Sequence, residues 1–134
     1  MDAAQAIADL TEISSQIESV VLLDGKGAVA GSTFADDASA TRFADAAKAL
    51  LDASESLREG GEPLTQLEAE TPEGSVFALR EGELLIAATT VPDPTVGLVF
   101  YDLKSALRAA EAAKPKRKPR ARTKKAAEVA SDDA

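Results

Sequence analysis

The sequence predicts an α+β fold built on one antiparallel sheet. Three observations support this prediction. Apolar residues recur at helical spacing in three segments, five short segments are rich in strand-forming residues, and most connections between strands are short enough for hairpins. The chain has 134 residues, of which 45% are hydrophobic, so it is long enough for one domain with a core.

The first helix is predicted over about residues 3–15, where apolar side chains follow a helical period. Residues 17–24 are then rich in β-branched and leucine side chains, and the turn at Gly25 and Gly27 returns the chain as a second strand. Because residues 20–23 are apolar on both faces, we expect the first strand at the centre of the sheet, covered on both sides.

The second helix is predicted to begin at Asp36 and Asp37, which can cap it, and to continue for about five turns. Its apolar face is expected to contain Ala40, Phe43, Ala44, Ala47, Leu50, Leu51, Ser54 and Leu57. A separate, nearly uncharged sector lies beside Arg42 and holds Ala46, Ala49 and Ala53. Small side chains allow another helix to approach closely, and an alanine-rich helix with nothing docked on it is the equal alternative.

Three more strands are predicted, beginning at Leu64, Ser75 and Glu83. The first of these alternates, with Leu67 and Ala69 on one face and acidic residues on the other, so we expect it at an edge. The last is apolar on both faces, so we expect it at the centre. Pairing of the two central strands gives the strand order 2-1-5-4-3.

The third helix is predicted to start with Asp93 as its N-cap and Pro94 in its first position. Residues 95–101 also fit a sixth strand, because a short apolar run is ambiguous between the two structures. The apolar period continues through Ala110, which favours the helix.

Charge divides the chain in two. Residues 1–113 carry 7 basic and 20 acidic side chains, whereas residues 114–134 carry 8 basic and 3 acidic ones. We therefore predict a folded domain over 1–113 and a disordered basic tail over 114–134. The cations of the tail are Lys114, Lys116, Arg117, Lys118, Arg120, Arg122, Lys124 and Lys125. They suit weak contact with nucleic acid, an anionic membrane or the acidic domain itself.

The missing residue types exclude most catalytic chemistry. The chain has no Cys and no His, which rules out zinc fingers, disulfides, cysteine nucleophiles and imidazole bases. Acidic pairs at Asp36 with Asp37 and at Glu68 with Glu70 leave a carboxylate-only metal site as a minor alternative. No phosphate-binding glycine motif occurs in strand-turn-helix context. We expect no enzyme activity, no cofactor and no small-molecule substrate, and, without a long apolar segment, a cytoplasmic location.

In this element order the chain resembles the roadblock/dynein light chain family, whose fold is longin-like and profilin-like. The resemblance covers roughly residues 3–112. It is carried by residues 17–33, IESVVLLDGKGAVAGST, which are similar to the first hairpin of the family with its Asp-Gly turn. Residues 94–107, PTVGLVFYDLKSAL, are similar to the start of its last helix. The alanine-rich composition is similar to that of bacterial members.

The resemblance implies that the long middle helix covers one face of the sheet and the terminal helices cover the other. It also implies a homodimer in which middle helices pack together and third strands meet edge to edge. The residues implied at this interface are Arg42, Ala46, Ala49, Ala53 and Leu67. Glu68 and Glu70 would repel each other across such an edge unless Arg58 or Arg80 of a partner pairs with them.

The resemblance further implies a function without chemistry of its own. Family members bind and regulate Ras-like small GTPases or serve as adaptor subunits. We therefore predict a homodimeric, non-catalytic adaptor or regulator of a Ras-like GTPase, with the tail supplying localisation or auxiliary contacts. The alternative is a nucleic-acid-associated adaptor that presents two basic tails. A third, carboxylate-dependent enzyme hypothesis ranks last.

Overall fold

The computed structural model describes residues 2–57 and 64–112, which form three helices and five strands. In chain order these are α1 (Ala3–Ile13), β1 (Ile17–Leu23), β2 (Val29–Ser32), α2 (Asp37–Glu55), β3 (Gln66–Thr71), β4 (Gly74–Glu81), β5 (Leu84–Thr90) and α3 (Val96–Ala112). The predicted element order is confirmed. Arg58 and the tail predicted over 114–134 lie outside the described residues, so the domain boundary stays a prediction.

All five strands belong to one antiparallel sheet in the order β2-β1-β5-β4-β3. The two strands that are apolar on both faces pair at the centre, with Val20 opposite Ala88 and Leu22 opposite Ile86. β3 pairs only with β4 and forms one edge. The strand order inferred from the sequence is therefore confirmed.

Alternate residues of the central strands enter two separate cores. On one face Val20 and Leu22 pack with side chains from α1 and α3. On the other face Val21 and Leu23 pack with side chains from α2. Because strand side chains alternate between faces, a strand apolar on both faces requires a helix layer on each side, and both layers are present. The fold is thus the predicted α+β sandwich.

α1 begins at a capped end, since the Asp2 carboxylate accepts a hydrogen bond of 2.8 Å from the backbone N–H of Gln5. The helix ends at Ile13, two residues earlier than predicted. Ser14 has an extended backbone, with φ −98° and ψ 121°, and its N–H donates to the Leu10 carbonyl. The chain therefore leaves the helix at Ser14 and reaches β1 through Gln16.

α2 begins as predicted, because the Asp36 carboxylate accepts a hydrogen bond of 2.8 Å from the backbone N–H of Ser39. The predicted apolar face is wrong at Leu50 and Leu57, whose exposed fractions are 37% and 81%. Leu57 lies past the end of the helix. Leu50 is separated around the helix axis from Ala46 by about 40°, at about 100° per residue, and so shares the outer side.

The start predicted for α3 is also wrong. Asp93 has φ +55°, in the left-handed region, whereas an N-cap residue has an extended backbone. The first helical hydrogen bond runs from the N–H of Val99 to the carbonyl of Thr95, and the helix begins at Val96. Residues 96–101 are helical, so the helix prediction for this segment is confirmed over the strand alternative.

The turn between β3 and β4 depends on Gly74. Its φ is +151°, and a Cβ atom at this position would overlap the carbonyl oxygen of Thr90 on the neighbouring strand. The Thr71 hydroxyl donates to the Gly74 carbonyl at 2.7 Å. The tight approach of three strands at this point therefore requires the absence of a side chain.

Gly74→Ala is expected to lower the free energy of unfolding by about 2 kcal/mol or more, because it adds backbone strain and a steric clash. Chemical denaturation followed by circular dichroism measures this. Gly97→Ala is the matched control, since a Cβ at Gly97 meets no atom within 4 Å and the residue is helical. The control is expected to raise stability by about 0.5 kcal/mol. Equal effects of the two substitutions would contradict the analysis.

Candidate interaction surfaces

The inner face of α2 is made mostly of alanines, with two larger side chains, the half-buried Phe43 and the buried Leu51. Ala40, Ala44 and Ala47 are buried, and Leu51 is the one large side chain among the buried residues of this helix. Together they pack on the core residues of β1, β4 and β5. Because alanine methyl groups are short, the helix can lie close to the sheet, and Leu51 and Phe43 provide its larger apolar contacts with the core.

The outer side of α2 carries an exposed row that we call the α2 stripe, made of Ala46, Ala49, Leu50 and Ala53. Arg42 is also exposed and lies one turn before Ala46. The structure therefore brings together the four α2 residues that the sequence analysis assigned to an interface, and it adds Leu50 to them. Their contact with a partner stays a prediction.

An ion-pair network lies beside the stripe. Asp52 accepts hydrogen bonds from Lys48 at 3.0 Å and from Arg80 of β4 at 3.2 Å. Both hydrogen bonds hold the pKa of Asp52 below its usual value, and the bond from Lys48 has the larger effect. Arg80 thus links the helix to the sheet within one chain. It lies on the α2 side, next to Leu85, and away from Glu68.

Leu67 lies on the β3 edge strand, and its contact with a partner stays a prediction. The side chain of Leu67 is half-buried against the α2-side core and belongs to the sheet face. Glu68 lies on the opposite face, where the Ser75 hydroxyl approaches its carboxylate at 3.5 Å. Glu70 on that same face is exposed. Since Arg80 is engaged by Asp52, the predicted neutralisation of these glutamates by a partner's Arg80 is not supported.

A second surface was missed by the sequence analysis. α1 and α3 border a groove of about 340 Å³ that contains the buried carboxyl of Asp102. Burial raises the pKa of Asp102. A signal for this position exists in the sequence, since Asp102 is three residues after Val99 and four before Ala106, both on the apolar face of α3.

The acidic pairs proposed as minor metal sites have other contacts. Asp36 caps α2, and Glu68 lies beside Ser75. Over residues 2–57 and 64–112 the structure contains no group of three carboxylates arranged to hold a metal ion. None of the three described helices is both long and apolar enough to cross a bilayer.

Comparison with known proteins identifies the fold. No family sequence model matches the chain, and a sequence search of curated proteins finds no match. Among solved structures, a roadblock/LC7 domain from Streptomyces avermitilis superposes with a TM-score of 0.74 at 20% identity, covering 84% of this chain and 97% of that one. MglB from Myxococcus xanthus gives 0.62 at 16% identity, covering 82% and 89%. The gliding protein MglB from Thermus thermophilus gives 0.59 at 21% identity, covering 83% and 90%.

Leu51→Ala is expected to lower the free energy of unfolding by about 3 kcal/mol, because it opens a cavity under a helix whose other buried residues are alanines. The matched control is Leu98→Ala on α3, where the side chain is 49% exposed and the expected loss is below about 1 kcal/mol. Urea denaturation of both variants measures the difference. Similar losses in the two variants would show that Leu51 does not anchor α2.

Proposed function

We propose that this chain, which has the roadblock fold, is a non-catalytic homodimeric adaptor or regulator of a Ras-like small GTPase in the cytoplasm. The α2 stripe is the observation that carries the proposal, because it leaves apolar surface exposed on a helix whose other face is already buried. The resemblance of residues 17–33 and 94–107 to the roadblock family supports the choice of partner. The absence of His and Cys supports a role without catalysis.

Dimerisation would pair the α2 stripes of two chains. Ala46, Ala49 and Ala53 are spaced three and four residues apart, so they form a continuous shallow row along the helix. Such a row allows a second helix to approach to the short end of the usual range of about 8–10 Å. Leu50, at 37% exposure, supplies a larger apolar contact within the same row. Burial of these side chains provides the driving force.

Pairing through the β3 edge is less favourable than pairing through α2. Glu68 and Glu70 lie on one face of this strand, and two β3 strands meeting antiparallel would place four carboxylates close together. β3 itself carries no Lys or Arg to neutralise them, and Lys104 of α3, on the same side of the sheet, lines a groove beside Gln66. We therefore assign the main contact to α2 and expect any edge contact to be secondary.

The GTPase would supply all of the nucleotide chemistry. A regulator acts on such a partner by binding one conformation of its switch loops more tightly than the other, so that its effect equals its differential affinity. Residues 114–134 would add localisation or a second weak contact, which raises the effective concentration of the partner. Arg42 borders the stripe and is exposed, so it lies where a docked protein would meet it.

Ala49→Glu is expected to convert the dimer to a monomer without unfolding the chain. The substitution introduces uncompensated charge at the helix contact, which costs about 3 kcal/mol or about 100-fold in dissociation constant. Light scattering coupled to gel filtration should give twice the 13.9 kDa chain mass for the wild type and the chain mass for the variant. Ala8→Glu, at an exposed position on α1, is the matched control and should stay dimeric. A monomeric wild type would refute this part of the proposal.

The full-length chain is expected to bind a Ras-like GTPase of its own organism with about tenfold different affinity for the GTP-analogue and GDP forms. Calorimetry on each purified GTPase measures both constants, with Ala49→Glu as the variant expected to lose binding and Ala8→Glu as the control. Equal affinity for the two forms would leave an adaptor without a regulatory effect. Failure of every such GTPase to bind would refute the proposed partner.

The alternative, a nucleic-acid adaptor, is favoured by one observation, the eight cations within residues 114–125. It predicts DNA binding that weakens steeply with salt, since each neutralised phosphate contributes about −0.9 to the log-log slope. Replacement of the tail cations by Gln would abolish that binding and leave GTPase binding largely intact. The two functions are thus separated by one set of variants.

A further inference from the structure

The groove between α1 and α3 is an open apolar surface. The two helices run antiparallel, because the end of α1 lies beside the start of α3, where the Thr95 N–H donates to the Gln16 side chain at 2.6 Å. Ile13 and Tyr101 line the groove and are 73% and 69% exposed. With Leu10 and Ala106, which also line it, they give the groove an apolar wall.

Asp102 gives this groove a specific chemistry. Its side chain lines the groove but is only 8% exposed, and none of the described residues donates a hydrogen bond or pairs with it. Burying a charged carboxylate without a partner costs folding free energy, so buried carboxylates are normally paired with a cation or a hydrogen-bond donor. The groove holds a second carboxylate, Asp9, which accepts one hydrogen bond from the Gln5 side chain at 2.9 Å.

The two cations of α3, Lys104 and Arg108, do not pair with Asp102. Arg108 of α3 pairs with Glu81 of β4 at 2.8 Å. Lys104 lines a different groove, beside β3 and β4. A cation from outside the described residues would pair with Asp102, and an apolar stem on that cation would lie along Ile13 and Tyr101. Lysine and arginine side chains have this form, and an arginine can also stack on the tyrosine ring.

We propose that the α1–α3 groove binds the chain's own basic segment, residues 114–125, with a Lys or Arg side chain paired to Asp102. This segment has eight cations and no acidic residue, whereas residues 1–113 carry an excess of 13 negative charges. Its Pro115 and Pro119 disfavour a helix and favour an extended segment. The proposal does not depend on the GTPase partner.

The basic segment is long enough to return from the end of α3 to Asp102. Asp102 lies about 15 Å before the end of α3 at Ala112, at about 1.5 Å per residue. An extended segment advances about 3.1 Å per residue, so about five residues after a reversal at Ala113 return the chain to Asp102. The cations that reach the carboxylate are then Arg117, Lys118 and Arg120. Because the segment belongs to the same chain, its effective concentration at the groove is in the millimolar range.

A spin label on the tail tests the proposal in the full-length protein. The chain has no cysteine, so Thr123→Cys provides a unique attachment site. The nitroxide is expected to broaden the amide NMR signals of Ala6, Leu10 and Ala109 in the groove and to leave those of the α2 stripe sharp. Added salt should restore the groove signals, because the contact is between charges.

Matched variants test whether Asp102 is the residue that holds the basic segment in the groove. Asp102→Asn is expected to abolish the broadening in the groove, whereas Asp45→Asn, which removes the same charge from an exposed position on α2, should preserve it. Replacing Arg117, Lys118 and Arg120 with Gln should also abolish it, and this variant leaves the described domain unchanged. The spectrum of each protein reports directly whether the domain is folded.

Three results would overturn the proposal. The first is absence of broadening, and the second is broadening that survives Asp102→Asn in a folded protein. The third comes from mixing spin-labelled, isotopically unlabelled chains with isotopically labelled chains that lack the nitroxide. If the groove signals in that mixed sample are broadened as much as in the spin-labelled chain itself, the tail of another chain occupies the groove. None of these results bears on GTPase binding, so the proposal and the proposed function fail separately.

Discussion

Two adjacent strands that are apolar on both faces, β1 and β5, determine the architecture of the whole chain. Their alternate residues enter opposite cores, so water must be excluded from both faces of the sheet. With three helices available, the long α2 covers one face and the antiparallel pair α1 and α3 covers the other. The outer strands β2 and β3 have fewer buried residues and so need less cover from helices. β3 carries Glu68 and Glu70 at the edge of the sheet.

Alanine residues lie on both the inner and the outer side of α2. On the inner side they allow the helix to lie close to the sheet, and the larger apolar contacts come from Leu51 and the half-buried Phe43. On the outer side they form the α2 stripe, a shallow row suited to close approach of a second helix. The alanine content of α2 thus suits the proposed dimer, in which the helix would pack on the sheet with one side and on a second helix with the other.

The proposed function depends on two surfaces of the domain. The α2 stripe and the α1–α3 groove lie on opposite faces of the sheet. Pairing of two chains through α2 therefore leaves both grooves exposed, and the basic segment of each chain can occupy its own groove without disturbing the dimer. One face is suited to a second copy, and the other to a cationic peptide.

The element order, the strand order and the two-sided burial of β1 and β5 could all be predicted from the amino-acid sequence, because periodicity, turn residues and caps such as Asp36 act over a few neighbouring residues. The environments of residues that depend on contacts between distant elements became visible in the folded domain alone. The sequence pattern assigned Leu50 to the core, but the side of α2 that faces the sheet is centred on Ala40, Ala44, Ala47 and Leu51, which leaves Leu50 37% exposed beside Ala46. The engagement of Arg80 by Asp52 joins residues from a strand and a helix far apart in the chain. Asp102 became a buried, unpaired carboxylate only because α1 packs against α3, and a contact between the first and last helices has no local signature.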